Sequence, residues 1–145
     1  MVKALRFLPM FLVMAAIFFL SAQPGGTLPM PSFPGADKLA HTIAYAALAA
    51  TVIYAFSPRR RPVVCALIAI LISAAYGASD EWHQNFTPGR DVSFYDFLAD
   101  CFGASLLAGG WLLWLRARRG GSGQKIQAEL GRKKSANLLL PNKQP

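Results

Sequence analysis

Residues 62–79 decide the fold: they read PVVCALIAILISAAYGAS and contain no charged side chain. A run of about 18 residues is close to the roughly 20 that a helix needs to cross about 30 Å of hydrocarbon at 1.5 Å per residue. The run lacks the alternation of polar and apolar residues that a transmembrane barrel strand requires. Because a backbone in lipid must satisfy its own hydrogen bonds, the run is predicted to form a transmembrane helix.

Three further apolar runs of similar length accompany this one, at residues 4–22, 39–57 and 94–115. Together the runs predict an all-α integral membrane protein, a four-helix transmembrane domain over residues 1–119. The first run also has basic residues in front of it and small residues behind it. An alternative for that run is therefore a cleaved signal peptide.

Positive charge is distributed unevenly along the chain. Of the 15 lysines and arginines, only Lys38 and Arg90 lie on the side that we predict to be outside. The others cluster at the N-terminus, in the turn around residues 57–62 and in the C-terminal tail. This positive-inside bias predicts that both termini lie in the cytoplasm and that the loops at residues 23–36 and 80–93 lie outside.

The net charge of +8 does not indicate a nucleic-acid-binding protein. The cations occupy short clusters between apolar runs, which is where topology signals lie. Charged residues make up 15% of the chain, against about 25% in soluble domains. Residues 120–145 are basic, contain Gly and Ser, and have few large apolar side chains. They are predicted to form a disordered cytoplasmic tail.

Small residues predict where the helices contact each other. Two stripes with a spacing of four residues stand out: Ala69, Ser73 and Gly77, and Cys101, Ser105 and Gly109. Such stripes let helix backbones approach closely in lipid. The two cysteines, Cys65 and Cys101, are interpreted as packing residues, because no CxxC or CxxH spacing is present. Histidine and carboxylates can bind a divalent ion, but no spacing here is specific for one. We assign no metal ligand and no cofactor.

Ionisable side chains concentrate where the helices reach the predicted outer surface. A spacing of four residues places Asp37, His41 and Tyr45 on one helix face, and Asp80 with Gln84 on another. Charge in the bilayer centre costs roughly 2.5–3.5 kcal/mol per residue, and less near the interface. These groups are therefore expected to face the bundle interior, pair with each other and converge in one pocket open to the outer leaflet.

The residue types in this cluster suit acid–base chemistry or ligand binding. The candidate catalytic residues are His41, Asp80 and Glu81, since a histidine with paired carboxylates supplies a general acid and a general base. The candidate ligand-binding residues are Asp37, Lys38, Tyr45, Gln84, Arg90, Asp96 and Asp100. Arg90 is predicted to form a bidentate pair with one carboxylate. The alternative is a structural clamp, in which acids at helix starts cap the N-termini.

Two segments resemble the motifs of the VanZ-like membrane proteins. They are Asp37-Lys38-x-x-His41-x-x-x-Tyr45, and Asp80-Glu81-x-His83-Gln84 followed by Pro88-Gly89-Arg90, Asp96 and Gly103. The resemblance covers about residues 35–115, and it differs at Asp100, where the family has Asn. It implies a multi-pass protein of the bacterial cytoplasmic (inner) membrane. The founding member is associated with low-level resistance to the glycopeptide teicoplanin, but the family implies no agreed biochemical activity.

Three functions stay open on this evidence. The first is a binding protein of the cell envelope, whose acidic pocket engages a lipid, a lipid-linked cell-wall precursor or a glycopeptide-type ligand. The second is a small intramembrane enzyme, a hydrolase or transferase that acts on a lipid head group. The third is a structural subunit of a larger complex. The expected partners are a membrane lipid or a lipid-linked precursor, with homodimerisation open and no nucleic acid.

Overall fold

The computed structural model describes residues 2–29, 31–57 and 61–138, and within these ranges the chain forms helices and turns without a strand. The helices are α1 (Val2–Leu5), α2 (Leu8–Ser21), α3 (Ala36–Phe56), α4 (Pro62–Gln84) and α5 (Phe94–Leu138). Three of them contain segments long and apolar enough to cross a membrane: Ala36–Phe56, Pro62–Gln84 and Phe94–Arg119. The predicted all-α membrane architecture is confirmed.

The first predicted helix is interrupted near its start. A turn at Arg6 and Phe7 separates α1 from α2, and α2 itself is a shorter apolar helix of 14 residues. Pro9 stands in the first turn of α2, where its missing N–H costs no hydrogen bond. The guanidinium of Arg6 donates to the carbonyl oxygen of Tyr54 at 2.9 Å, which ties this turn to the end of α3.

Helix α4 is longer than predicted. The sequence analysis ended it at Ser79, where the apolar residues stop, but the helix continues to Gln84. No glycine or proline interrupts residues 80–84, and the first such breaker is Pro88. Asp80, Glu81 and Gln84 are consequently presented by a rigid helix and not by a loop, and all three are buried.

The core forms around the middle of α3. Tyr45, Leu48 and Val52 are its largest fully buried apolar side chains, and small residues of α4 and α5 pack against them. The predicted stripe on α4 is buried as expected, since Ala69, Ser73 and Gly77 all lie inside.

The predicted stripe on α5 was wrong. Ser105 is exposed, and Ala104 and Ala108 take the buried positions. Ala104 and Ala108 share a helix face with the buried Asp100, and Ser105 lies outside that face. A prediction based on the spacing of small residues alone does not take the position of Asp100 into account.

Helix α5 extends beyond the predicted end near Leu115. The helix runs to Leu138. The sequence predicts a disordered tail for residues 120–145, and the described part of that segment is helical. Arginine, lysine, glutamine, alanine and leucine in this stretch are all good helix formers. Residues 139–145 lie outside the described residues.

The two loops at one end of the bundle are joined backbone to backbone. The amide N–H of Gly25 donates to the carbonyl oxygen of Pro88 at 3.0 Å. A side chain at Gly25 would overlap the backbone of Gly89, and Gly89 itself has a φ of 70°. Glycine is required at both positions, for close approach at the first and for a left-handed conformation at the second. The pairing places the α2–α3 loop beside the α4–α5 loop.

Candidate functional site

The first turns of α3 and α5 are joined by a lysine. Gly35 precedes α3 with a φ of 83°, a left-handed conformation that sets the direction of the first turn. The Lys38 ammonium donates to Asp37 Oδ2 at 2.8 Å and to Asp96 Oδ1 at 2.9 Å. Asp96 is largely buried, whereas Asp37 is exposed. Lys38 thus neutralises part of the acidic excess, a role that the sequence analysis gave to Arg90.

A second group lies one turn deeper and joins three helices. His41 Nδ1 of α3 is 2.9 Å from Asp100 Oδ1 of α5. Glu81 of α4 completes the group, because one ligand atom from each of these residues lies within 4.8 Å of the others. The backbone N–H of Ser93 donates to Glu81 Oε2 at 3.1 Å. Asp100 has 0% exposed surface and Glu81 has 6%, so the carboxylates are removed from water.

A third group forms around Asp80. Ser21, at the end of α2, donates its hydroxyl to Asp80 Oδ2 at 2.8 Å. The Gln84 amide, one turn further along α4, donates to the same oxygen at 3.2 Å. All three residues are buried. The shared acceptor joins α2 to α4 and leaves the carboxylate hydrogen-bonded but without a cation in contact among the described side chains.

The predicted bidentate pair between Arg90 and a carboxylate was wrong, because Arg90 contacts backbone carbonyls. Its Nε donates to the Gln23 carbonyl oxygen at 3.1 Å, and its Nη2 donates to the Leu20 carbonyl oxygen at 3.0 Å. The last carbonyls of a helix have no intrahelical partner and carry the negative end of the helix dipole. At this position Leu20, near the end of α2, and Gln23, just after it, supply the acceptors for Arg90.

Tyr45 lies below this layer. Its ring is parallel to the His41 ring, with centroids 6.5 Å apart, and faces the Tyr76 ring at 6.4 Å. Tyr76 donates its hydroxyl to the Met14 carbonyl oxygen at 2.7 Å. The Tyr45 hydroxyl is buried and has no hydrogen-bond partner among the described residues. A buried hydroxyl without a partner costs about 1–3 kcal/mol and is uncommon.

A cavity of about 390 Å³ opens beside these groups. Its polar lining comes from α2, α3, α4 and the α4–α5 loop and consists of Ser21, Asp37, His41, Tyr45, Asp80, Gln84 and Arg90. Its apolar lining comes from α2, α3 and the α2–α3 loop and consists of Ile17, Leu20, Pro24, Gly26, Leu28, Pro29, Ala40 and Ala44. The cavity is therefore lined by hydrogen-bonding and apolar side chains together, and both α2 and α3 contribute residues of each kind.

The predicted site residues divide into two sets. Six of them line the cavity: Asp37, His41, Tyr45, Asp80, Gln84 and Arg90. The other four are outside the lining. Lys38 and Asp96 form the ion pair at the helix starts and reach the cavity through Asp37, while Glu81 and Asp100 form the buried group with His41. Sequence reasoning missed Ser21, the Ser93 N–H and the apolar loop residues.

The missed residues carried weak signals. Ser21 ends an apolar helix, where a serine is ordinary, and its partner Asp80 is 59 residues away. The α2–α3 loop is uncharged and rich in proline, so nothing in its composition indicated that it covers a site. Gly77 lies one turn before Glu81 on α4. Its lack of a side chain leaves room for the Asp100 carboxylate, since a Cβ atom at this position would lie 2.7 Å from Asp100 Oδ2.

The arrangement can bind hydrogen-bond donors of a ligand, accept protons and enclose an apolar group. Two acids and one arginine line the cavity, and the arginine is bonded to the backbone. Ammonium and hydroxyl donors are therefore the groups that match the free acceptors of the polar lining. The His41 imidazole is oriented by a buried carboxylate, an arrangement that also occurs in acid–base sites.

Comparison with other proteins gives a family and nothing finer. No curated protein and no solved structure matches the chain significantly. The family model described as VanZ/LLP1 matches residues 6–116, a range that contains α2, α3, α4 and every side chain of the site. The chain is therefore a multi-pass membrane protein that belongs to the VanZ/LLP1 family.

Proposed function

We propose that this protein binds an amphiphilic ligand of the bacterial cell envelope in the cavity beside α3. The ligand is a lipid, a lipid-linked cell-wall precursor or a glycopeptide-type molecule. The observation that carries the proposal is the mixed lining of the cavity, in which acceptors such as Asp80 and Gln84 occur together with Ile17, Leu20 and Leu28. A volume of about 390 Å³ lies within the range of roughly 300–1,000 Å³ usual for small-molecule sites.

The polar lining residues favour a head group that donates hydrogen bonds. Among the described residues, the donors to the Asp80 carboxylate are the neutral groups of Ser21 and Gln84. Arg90 is committed to the end of α2, so it does not offer its full fork to a phosphate. An ammonium or hydroxyl group would add a charge-assisted hydrogen bond to Asp80, and such bonds are stronger than neutral ones.

The apolar lining residues favour an acyl chain or another hydrophobic group beside that head group. Pro24, Leu28 and Pro29 belong to the uncharged α2–α3 loop. Charge bias assigns this loop to the outer side of the cytoplasmic membrane. We therefore propose that the ligand enters from the outer leaflet, with its head group at the depth of Asp37 and Asp80.

Binding is tested with three probes that share a dodecyl chain and differ in head group: dodecylammonium, dodecyl sulfate and dodecyl maltoside. The full chain in nanodiscs is titrated with each probe, and Asp80→Asn is compared with the wild type. Asp91→Asn, at an exposed loop position, is the matched control. We expect the ammonium probe to bind tightest, and Asp80→Asn to weaken it about tenfold, or about 1.4 kcal/mol.

The proposal fails if the three probes bind equally, or if Asp80→Asn and Asp91→Asn behave alike. Mass spectrometry of lipids that copurify with the wild type adds an independent measurement. A donor-bearing amphiphile should be enriched with the wild type and reduced with Asp80→Asn.

The second candidate function is an intramembrane acid–base enzyme that acts on a lipid head group. The observation that favours it is the His41 imidazole, which lines the cavity and lies 2.9 Å from a fully buried carboxylate. His41 would act as a general base, oriented by Asp100, with Asp80 or Glu81 as the acid. In this case Asp80→Asn and Glu81→Gln should abolish turnover of a copurifying lipid while its binding persists. Binding loss without any turnover in the wild type favours the first function.

A further inference from the structure

The group formed by His41, Glu81 and Asp100 has more acceptor capacity than the surrounding protein satisfies. Asp100 Oδ2 and Glu81 Oε1 are buried, and neither has a hydrogen-bond partner among the described residues. Asp100 has 0% exposed surface and Glu81 has 6%. Buried carboxylate oxygens are normally paired, hydrogen-bonded or bound to a metal ion, because desolvation otherwise costs several kcal/mol per ion.

The neighbouring cations do not fill this need. The Lys38 ammonium contacts Asp37 and Asp96. The Arg90 guanidinium donates to the backbone at the end of α2. His41 Nδ1 contacts Asp100 Oδ1 at 2.9 Å, and among the described residues no lysine or arginine makes an ion-pair contact with Asp100 Oδ2 or Glu81 Oε1.

We propose that His41, Glu81 and Asp100 bind a divalent transition-metal ion. One ligand atom from each residue lies within 4.8 Å of the other two. Adjacent ligands of a metal with bond lengths of about 2.1 Å are about 3.0–3.4 Å apart, a separation that follows from tetrahedral or octahedral geometry. The 2.9 Å between His41 Nδ1 and Asp100 Oδ1 is close to this value. Two carboxylates balance the charge of a divalent ion.

The surroundings are arranged to orient these ligands. The Ser93 N–H donates to Glu81 Oε2, which leaves Oε1 for the ion. Gly77 has no side chain, and the Asp100 carboxylate occupies the space beside it. Hydrogen bonds to ligating carboxylates and closely packed neighbours commonly tune a metal site in this way.

The donor set selects the class of metal. One imidazole nitrogen with two carboxylate oxygens suits Zn²⁺, Mn²⁺ or Fe²⁺, whereas Mg²⁺ and Ca²⁺ prefer oxygen ligands alone. Three protein ligands leave at least one coordination position for water or a ligand. His41 also lines the cavity, so the bound ion would lie at its wall. If Nδ1 of His41 ligates the ion, it is not available as a general base.

The experiment uses the full chain, purified without a polyhistidine tag and stripped of metal with EDTA. Equilibrium dialysis against ZnCl₂ or MnCl₂, with metal analysis of the protein, measures the stoichiometry. We expect about one ion per chain and a rise in the unfolding temperature on loading, since binding to the native state stabilises it. Substoichiometric binding of both ions, without that rise, overturns the proposal.

Variants then assign the ligands. His41→Ala, Glu81→Gln and Asp100→Asn should each weaken binding by at least about tenfold. His83→Gln is the matched histidine control, because its ring stacks on Phe18 outside the group, and Asp91→Asn is the carboxylate control. Equal binding by the ligand variants and the controls assigns the ion elsewhere and overturns the proposal.

A measurement on the wild type covers the case in which the ligand variants do not fold. Pulsed electron paramagnetic resonance of bound Mn²⁺ detects an imidazole nitrogen directly. A nitrogen coupling is expected from His41, and its absence from a stoichiometric Mn²⁺ complex overturns the assignment.

Discussion

Arg90 donates a hydrogen bond from Nη2 to the carbonyl oxygen of Leu20 at 3.0 Å, across 70 residues of chain. A second bond, from Nε to the Gln23 carbonyl oxygen at 3.1 Å, makes the arginine a clamp between the α4–α5 loop and the end of α2. The clamp lies next to the backbone bond between Gly25 and Pro88. Together they hold the α2–α3 loop beside the cavity.

Replacing Arg90 by Lys should destabilise the protein although the charge is kept. A lysine ammonium lacks the planar fork that reaches two carbonyls at once, and a hydrogen bond to a charged group contributes about 1.5–3 kcal/mol. We expect a loss of about 1–3 kcal/mol, seen as a lower unfolding temperature in detergent. Arg116→Lys, at an exposed position, is the control. Equal unfolding temperatures for both variants would show that the clamp does not contribute.

The sequence predicted the helices well and their ends less well. Hydropathy located the membrane-spanning segments because lipid demands about 20 apolar residues and a self-bonded backbone. The end of α4 was misplaced at Ser79 because polarity was taken as the end of the helix. Residues 80–84 are polar but still helical, since a helix can present polar side chains to the interior of the bundle.

The sequence could predict which site residues share a helix face, but not which side chains contact each other between helices. Spacing within one helix correctly grouped Asp80 with Gln84, which share a hydrogen bond. It could not show that Lys38 and not Arg90 neutralises Asp96, or that His41 meets Asp100, because these partners are separated by 58 and 59 residues. Such contacts depend on the rotation of each helix about its axis, which local spacing does not determine.

Gly103→Ala should disrupt the contact between α3 and α5. A side chain at Gly103 would overlap the backbone carbonyl of Thr42, and a backbone cannot move aside as cheaply as a flexible side chain. Overpacking of this kind typically costs about 1–3 kcal/mol. Gly110→Ala on the same helix meets nothing within 4 Å and is the control. We expect a reduced unfolding temperature for Gly103→Ala only, and equal values would contradict the close approach.

Ser21→Ala should weaken the link between α2 and α4. The change removes the hydroxyl that donates to Asp80 Oδ2 at 2.8 Å inside the protein, and losing one partner of a buried polar pair costs about 1–3 kcal/mol. Ser79→Ala removes an exposed hydroxyl that bonds to the carbonyl of its own helix, and it should change stability by less than about 0.5 kcal/mol. Thermal unfolding of both variants compares them, and a similar effect at the two serines would argue against the buried bond.

The predicted topology is tested with single cysteines in a background of Cys65→Ala and Cys101→Ala. Thr27 is exposed in the α2–α3 loop, and Asp91 is exposed in the α4–α5 loop, whereas Thr87 is buried and unsuitable for labelling. The excess of Lys and Arg on the opposite side predicts that both loops face outward. Thr27→Cys and Asp91→Cys should therefore react with a membrane-impermeant maleimide in intact spheroplasts.

Glu129→Cys is the control for the side of the membrane that we predict to be cytoplasmic. Residue 129 follows the last membrane-spanning segment, which ends at Arg119, and should react only after the membrane is permeabilised. If Thr27→Cys also needs permeabilisation, the orientation is reversed and the cavity opens toward the cytoplasm. A ligand from the outer leaflet would then be excluded, while the proposed metal ligands, which depend only on contacts within the bundle, would be unaffected.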